Sequence, residues 1–273
     1  MKMIYQPKGR RAQEYAESAE GKGDGYALNI YKGCTHKCAY CYVPCGFPWK
    51  TYPDPRKTFH EKVAPRVDIL EQLDKDLKEM VKLGLENNPI HLCFTCDPYP
   101  EEHSHVTRDC LLIMEDHGMK NVQVLTKAGL RAERDFDILA RNKWKFGSTV
   151  VAVDPLFYNF HDSHGLEQEG WEPGATLFDE RKAAIQKAHD WGIFTWVSIE
   201  PVINPSESLE VIYRLKGWVD LWKIGKLNHG DQISPECAAI EKETDWGDFV
   251  SRAKELLGDD TVIWKKSLKK WVE

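Results

Sequence analysis

The feature that most constrains this chain is an alternation. From residue 26 onward, six short segments rich in β-branched and aromatic residues take turns with amphipathic stretches of helical period, the pattern of parallel β/α folds. The strand-like segments are Tyr26–Tyr31, Ile90–Thr95, Val122–Thr126, Ser148–Val153, Ile193–Ile199 and Leu221–Ile224. Between them, Leu70, Leu73, Leu77, Met80 and Val81 share one face of a helix from Val67 to Leu83. Val106, Cys110, Ile113, Met114 and His117 mark the next, closed by Gly118. Phe136 with Leu139, then Ala184, Ile185, Ala188 and Trp191, mark two more. Leu209, Ile212 and Tyr213 follow a Ser206 N-cap, and the run from Trp246 to Leu257 is opened by Thr244 or Asp245. Six such units predict an α/β fold, a partial (β/α)6 barrel open on one side. A doubly wound sheet has the same alternation.

The first strand runs into Gly33-Cys34-Thr35-His36-Lys37-Cys38-Ala39-Tyr40-Cys41-Tyr42, a C-x3-C-x2-C pattern. Three thiolates this close suit an iron–sulfur cluster, and a four-iron cluster on three cysteines leaves one iron open to a substrate or cofactor. The chain holds eight cysteines, and Met1–Lys8 has no apolar signal region, which predicts a reducing compartment where clustered thiols serve metals. No stretch is apolar enough to span a bilayer, so a soluble, cytoplasmic protein without membrane partners is expected.

A zinc site competes with the cluster, because Cys38/Cys41 and Cys93/Cys96 form two C-x2-C pairs. Against it, Cys93 lies inside the apolar run Ile90–Phe94, and alternation along a strand would point Cys93 and Cys96 to opposite faces. Cys45 reads as a loop thiol near the cluster, and Cys110 and Cys237 as core.

Beyond the cysteines, several short strings occur in order: Thr95-Cys96-Asp97-Pro98-Tyr99, Thr126-Lys127, Glu172-Pro173-Gly174-Ala175 with Glu180-Arg181, and Val197-Ser198-Ile199-Glu200-Pro201. Together with the cysteine loop, whose last ligand follows an aromatic, they resemble the radical S-adenosylmethionine (SAM) enzymes of the spore photoproduct lyase-like branch over roughly residues 26–230. All but the Glu-Pro-Gly-Ala string fall at the C-terminal ends of predicted strands, where parallel β/α folds bind ligands.

The resemblance implies a [4Fe–4S] cluster on Cys34, Cys38 and Cys41, with SAM as second cofactor. Reductive cleavage of SAM then yields a 5′-deoxyadenosyl radical that abstracts hydrogen from a substrate. It implies that Tyr40 packs on the adenine and that Lys127 pairs with the SAM carboxylate. Thr95, Asp97, Ser198 and Glu200 would bond its amine or ribose, and His36 would support the cluster from outside the ligand set. Cys96 is the candidate hydrogen donor, a catalytic role set against that of a small buried hydrophobe. A flavodoxin- or ferredoxin-type reductant is implied as partner. The substrate is a small molecule, a peptide or partner protein, or a nucleic acid. Alternatives are lyase-type DNA lesion repair and a non-enzymatic zinc- or cluster-stabilised binding module. Residues 1–25 read as an N-terminal arm, 26–258 as the core with the cluster loop at 32–64, and 259–273 as a C-terminal extension.

Net charge is −6, and Lys265, Lys266, Lys269 and Lys270 form the one evident basic cluster. This balance predicts no strong non-specific affinity for duplex DNA, which rests on neutralising phosphates. The spacing also makes a prediction about iron. Alanine at Cys34, Cys38 or Cys41 should abolish cluster assembly while Cys45→Ala retains it, as iron and sulfide quantification will show. Loss of iron only in Cys45→Ala would sink the assignment.

Overall fold

The computed structural model describes residues 3–5, 25–46, 49–154, 159–161, 167–227, 230–233, 235–258 and 260–272. Most of the expected N-terminal arm, residues 6–24, lies outside the described residues. One sheet holds eight strands in chain order. They are β1 (Ile4–Tyr5), β2 (Tyr26–Leu28), β3 (Ile90–Leu92), β4 (Val122–Thr126), β5 (Lys145–Thr149), β6 (Phe194–Val202), β7 (Leu221–Lys226) and β8 (Val262–Trp264). Every pairing from β2 to β8 is parallel, and β1 adds antiparallel at the edge. The order is linear, so the sheet does not close, and the expected partial barrel is what forms.

The helices are α1 (Pro55–Glu61), α2 (Ile69–Lys82), α3 (Ser104–Asp116), α4 (Phe136–Asn142), α5 (Phe178–Asp190), α6 (Pro205–Leu215), α7 (Pro235–Glu243), α8 (Trp246–Leu257) and α9 (Lys269–Val272). Their apolar stripes and the strand residues between them form one continuous core, from Leu73 and Leu77 on α2 to Phe249 and Val250 on α8. A second, smaller cluster gathers Cys38, Ala39 and Tyr40 with Val151, Ala152, Trp171, Ile203 and Leu227. The cysteine loop is therefore seated on apolar residues that lie just beyond the C-terminal ends of β5, β6 and β7.

Several expectations shift, each for a local reason. The first strand breaks after Leu28, and Tyr31–Lys32 pairs instead with Ala64–Pro65 in a separate ribbon. Buried Asn29 explains the break: its Oδ1 accepts from the amides of Phe94 and Thr95, both at 2.8 Å, replacing ladder bonds at the ends of β2 and β3. The fourth strand is Lys145–Thr149 rather than Ser148–Val153, since the apolar run continues past the strand into the second cluster. Asn204, not Ser206, caps α6, accepting from Ser206 N at 2.9 Å and Glu207 N at 3.2 Å. Asp245 opens α8, accepting from Asp248 N at 3.0 Å. Val81, Trp191 and Tyr213, placed on buried faces by period alone, are exposed.

The C-terminal segment is not a solvated tail. Val262–Trp264 joins the sheet, Leu268 is buried, and Lys265 is buried against Glu200 with Nζ 3.3 Å from Oε1. One of the four lysines in the expected basic cluster is thus spent internally. The α6 cap supplies a stability test. Asn204→Ala should cost about 1 kcal/mol in urea unfolding, and Ser206→Ala only a few tenths. Equal costs would overturn the assignment of the cap.

Candidate active site

Backbone fit decides where the cysteine loop sits. Gly33 has φ of +82°, and a Cβ there would lie 2.2 Å from Lys62 O and 2.8 Å from Phe59 O. Without a side chain at 33, Cys34 N reaches Phe59 O at 3.1 Å and Cys34 O lies 2.8 Å from His60 Nδ1, so α1 buttresses the loop from outside. Arg56 of α1 donates to Ala39 O at 3.2 Å. On the other side, the Glu172–Ala175 string presses against the loop. Ala39 N donates to Trp171 O at 2.9 Å and Gly174 N to His36 O at 3.0 Å. A Cβ on Gly174 would stand 2.0 Å from Thr35 O, so only glycine permits the approach.

Two buried carboxylates hold the loop to the sheet. Asp97 accepts from Tyr99 N and Thr126 Oγ1 on one oxygen, both at 2.8 Å, and from Lys127 N at 2.9 Å on the other. That second oxygen also lies 2.8 Å from His36 Nε2, while His36 Nδ1 is 3.1 Å from Gly174 O. Burial alone would raise the Asp97 carboxyl. His36 and the two backbone amides outweigh it and hold the group well below the usual carboxylate range. Three hydrogen bonds and the close His36 ring engage this carboxylate. Asp97 thereby ties the cluster loop to the ends of β3 and β4, beside the contact to SAM that the resemblance implies for it.

The second carboxylate, Glu172, is 2% exposed. Tyr40 OH donates to its Oε1, Arg181 Nη1 donates to Oε2 at 2.6 Å, and Lys127 Nζ stands 3.9 Å away. Arg181, on α5, also donates to Thr149 O at 2.9 Å and Thr176 O at 2.8 Å. Burial opposes the charge on Glu172, but Arg181 and Lys127 prevail and lower the carboxyl. Tyr40 is pushed well up by burial and then by Glu172.

Lys127 has 17% of its side chain exposed and its Nζ lies 5.6 Å from the centre of the Tyr40 ring. It is no surface lysine. Burial would lower its ammonium, yet Cys38 and Glu172 raise it. The three cysteines sense one another and this cation. Burial pushes Cys38 up to about 12, opposed by Lys127. Cys34 is raised by burial, Asp97 and Cys38, and Cys41 mainly by burial. Metal ligation must displace these protons.

Among the described residues no three His, Cys, Asp or Glu side chains converge as ligands of a single ion. The four thiols of the alternative zinc arrangement do not meet there. Ligands of a four-iron cluster each bind a different iron and need no such convergence. A loop that offers three thiols in mutual electrostatic range, with Lys127 beside them to offset negative charge, fits that group.

Cys93 and Cys96 do not take opposite faces. β3 stops at Leu92 and the chain bends, so strand alternation does not reach them, and Cys96 lies near enough to add to the burial that raises the Cys93 thiol. Cys93 is buried, Cys96 half-buried. Thr95 is half-buried beside them, its amide held by Asn29. Ser198 donates to Glu200 Oε2 at 3.1 Å, and Glu200 reaches across to Lys265. Below them a polar floor crosses the concave side of the sheet. Lys223 donates to Gln123 at 3.1 Å and its Nζ sits 3.6 Å over the Trp196 ring, which lies 6.0 Å from His91. The motif strings include Glu172 and Arg181, but spacing assigns them no role. Asn29, Lys223 and Lys265 carry no local signal at all.

A family model for the radical SAM superfamily matches residues 28–218. The chain belongs to that superfamily, and its cofactors are a [4Fe–4S] cluster and SAM. Among curated proteins, none matches the chain. Solved structures of similar fold include a mutant spore photoproduct lyase, with TM-score 0.55 and 15% identity over 81% of this chain and 65% of that one. A second mutant, with bound AdoMet and dinucleoside spore photoproduct, gives TM-score 0.53 and 16% identity, covering 87% of this chain and 70% of that one. Streptococcus suis SuiB bound to precursor peptide SuiA gives 0.53 and 15%, covering 90% of this chain and 48% of that one. The chain thus spans about two thirds of the lyase and half of SuiB, and the likeness is one of fold.

The Asp97 tie is open to measurement. Asp97→Ala leaves His36 buried without its carboxylate and should cost about 3–5 kcal/mol in chemical denaturation. Deuterium uptake at the amides of residues 34–41 should rise with it, while Thr95→Ala leaves that uptake unchanged. A small cost with unchanged exchange would remove Asp97 from this role.

Proposed function

We propose that this radical SAM enzyme carries its cluster on Cys34, Cys38 and Cys41 and seats SAM over the C-terminal ends of β3, β4 and β6. When bound, the cluster supplies one electron to the SAM sulfonium, giving methionine and a 5′-deoxyadenosyl radical that takes hydrogen from the substrate. The observation that supports this reading best is the position of Lys127. It stands half-buried between the ligand loop and Glu172, with its backbone fixed by Asp97.

The protein's own part is placement. Asp97 and Glu172 clamp the loop from two sides, so the cysteines are pre-organised before metal arrives. Lys127 has three N–H donors to offer and meets the SAM carboxylate. Tyr40, held by Glu172, presents ring and backbone to the adenine. Thr95, Ser198 and Glu200 line the remaining contact to amine and ribose. Half-buried Cys96 gives its thiol hydrogen to the product radical, and the thiyl radical left behind takes one electron from the reductant and a proton from solvent. Residues 26–258 make up the catalytic barrel, widened at its edges by β1 and β8. No described helix is long and apolar enough to cross a membrane. A cytoplasmic setting and a lyase-type outcome belong to the same proposal.

Release of 5′-deoxyadenosine from anaerobically reconstituted, chemically reduced protein tests the activity, screened with nucleic acids, peptides and metabolites to find the substrate. Absence of any release from fully loaded protein would refute it. Lys127→Ala should weaken SAM binding about ten- to a hundredfold, the cost of one charge-assisted contact, without loss of iron. Calorimetric titration of SAM measures this, and unchanged affinity would place Lys127 outside the SAM site.

A further inference from the structure

The proposed reaction consumes electrons, the first of them at SAM cleavage, and they enter from another molecule. Charge is distributed unevenly around their entry point. Residues 32–66 hold seven Lys and Arg against Asp54 and Glu61, a net +5 in a chain whose total is −6, so the remainder carries −11. Lys32, Lys37, Lys50, Lys57 and Lys62 are all exposed. Lys57 meets Glu61 only at 4.0 Å, with 66% and 54% of the two side chains exposed, an arrangement that barely offsets charge in water.

This basic segment is built onto the ligand loop. Lys32 lies two residues before Cys34, and Lys62 O is packed against Gly33. Phe59 O receives the Cys34 amide, and Arg56 donates to Ala39 O between the second and third ligands. Trp49, next to Lys50, packs edge-on to Phe59 with ring centres 5.0 Å apart, which ties the outer turn to α1. Lys32, Lys57 and Lys62 thus stand on the ribbon and the helix that buttress the cluster loop, with Lys37 in the loop itself and Lys50 on the turn packed against α1.

Resting on the function proposed above, we propose that exposed Lys32, Lys37, Lys50, Lys57 and Lys62 form the docking surface for an acidic one-electron carrier protein. The carrier's redox centre loses one electron, the resting [4Fe–4S]2+ cluster gains it to become [4Fe–4S]+, and no bond or proton moves. Opposite potentials steer such encounters and raise association rates by tenfold to a thousandfold. A compact acidic face needs this patch alone, whereas a long duplex would also meet a chain that carries −11 outside it. That geometry favours a protein over a nucleic acid.

The test compares wild-type protein with the triple variant Lys32→Glu/Lys57→Glu/Lys62→Glu, both loaded with iron and matched in circular dichroism. Anaerobic stopped-flow follows cluster bleaching by two reductants, an acidic flavodoxin and photoreduced deazariboflavin. With flavodoxin at low salt, the variant should reduce at least about tenfold more slowly, and the steep salt dependence of the wild type should flatten. With the small reductant both proteins should bleach at the same rate. If the triple variant loads no iron, the neutral set Lys32→Gln/Lys57→Gln/Lys62→Gln takes its place, with a smaller slowing in the same direction. Equal flavodoxin rates in variant and wild type would overturn the proposal. So would sub-micromolar binding of duplex DNA that the triple variant abolishes, which would make the face a nucleic-acid interface. Failure of the underlying function looks different: chemically reduced wild type would release no 5′-deoxyadenosine.

Discussion

Three hydrogen-bond donors and the His36 ring converge on the carboxylate of Asp97, and the rest of the site depends on that convergence. They arrive from the cluster loop through His36, from the turn after β3 through Tyr99, and from the end of β4 through Thr126 and Lys127. These segments are separated by up to ninety-one positions, from 36 to 127. A buried carboxylate is costly unless every lone pair is met. Meeting them here fixes the loop, the turn and the strand end in one geometry. Glu172 repeats the device on the other flank through Tyr40, Arg181 and Lys127. Lys127 belongs to both assemblies, by its backbone in one and its side chain in the other.

Such buried charges do little for net stability, since desolvation absorbs most of what the pairing returns. Stability comes from the apolar core between sheet and helices, and from the smaller cluster beneath the cysteine loop. The charged ties contribute specificity of position, which radical chemistry needs because a misplaced radical attacks whatever is nearest. Lys223 over Trp196, with Gln123 and His91 beside it, and Lys265 on Glu200 set polar groups deeper on the concave side of the sheet. They give the barrel a shaped floor in place of a purely aliphatic one.

Local sequence carried the elements whose cause is local. The helices at 69–82 and 246–257 follow from unbroken apolar period, and β4 and β7 from short runs that are buried almost throughout. The cysteine spacing and the ordered strings marked Tyr40, Lys127 and the ligands, because those residues lie close together or at strand ends. Period misjudged Tyr213 and Trp191, since the helix faces that meet the sheet are narrower than the apolar pattern suggests. It also ran β3 on to Thr95, because the side chain that takes over the ladder, Asn29, comes from a distant segment just past the end of β2.

The sequence by itself therefore determined the α/β alternation, and it marked the candidate ligands and the neighbourhood proposed for the cofactor. Each of these is written in contiguous residues or in a short spacing. Tertiary structure alone decided that Asp97 ties the cluster loop to the strand ends, that Glu172 and Arg181 clamp the ligand loop, and that Lys265 returns from the C-terminal segment to meet Glu200. It also set exposed lysines on the ribbon and the helix that buttress the loop. Those outcomes depend on which lone pairs are filled and which side chains are covered, and both are settled only when distant segments pack together.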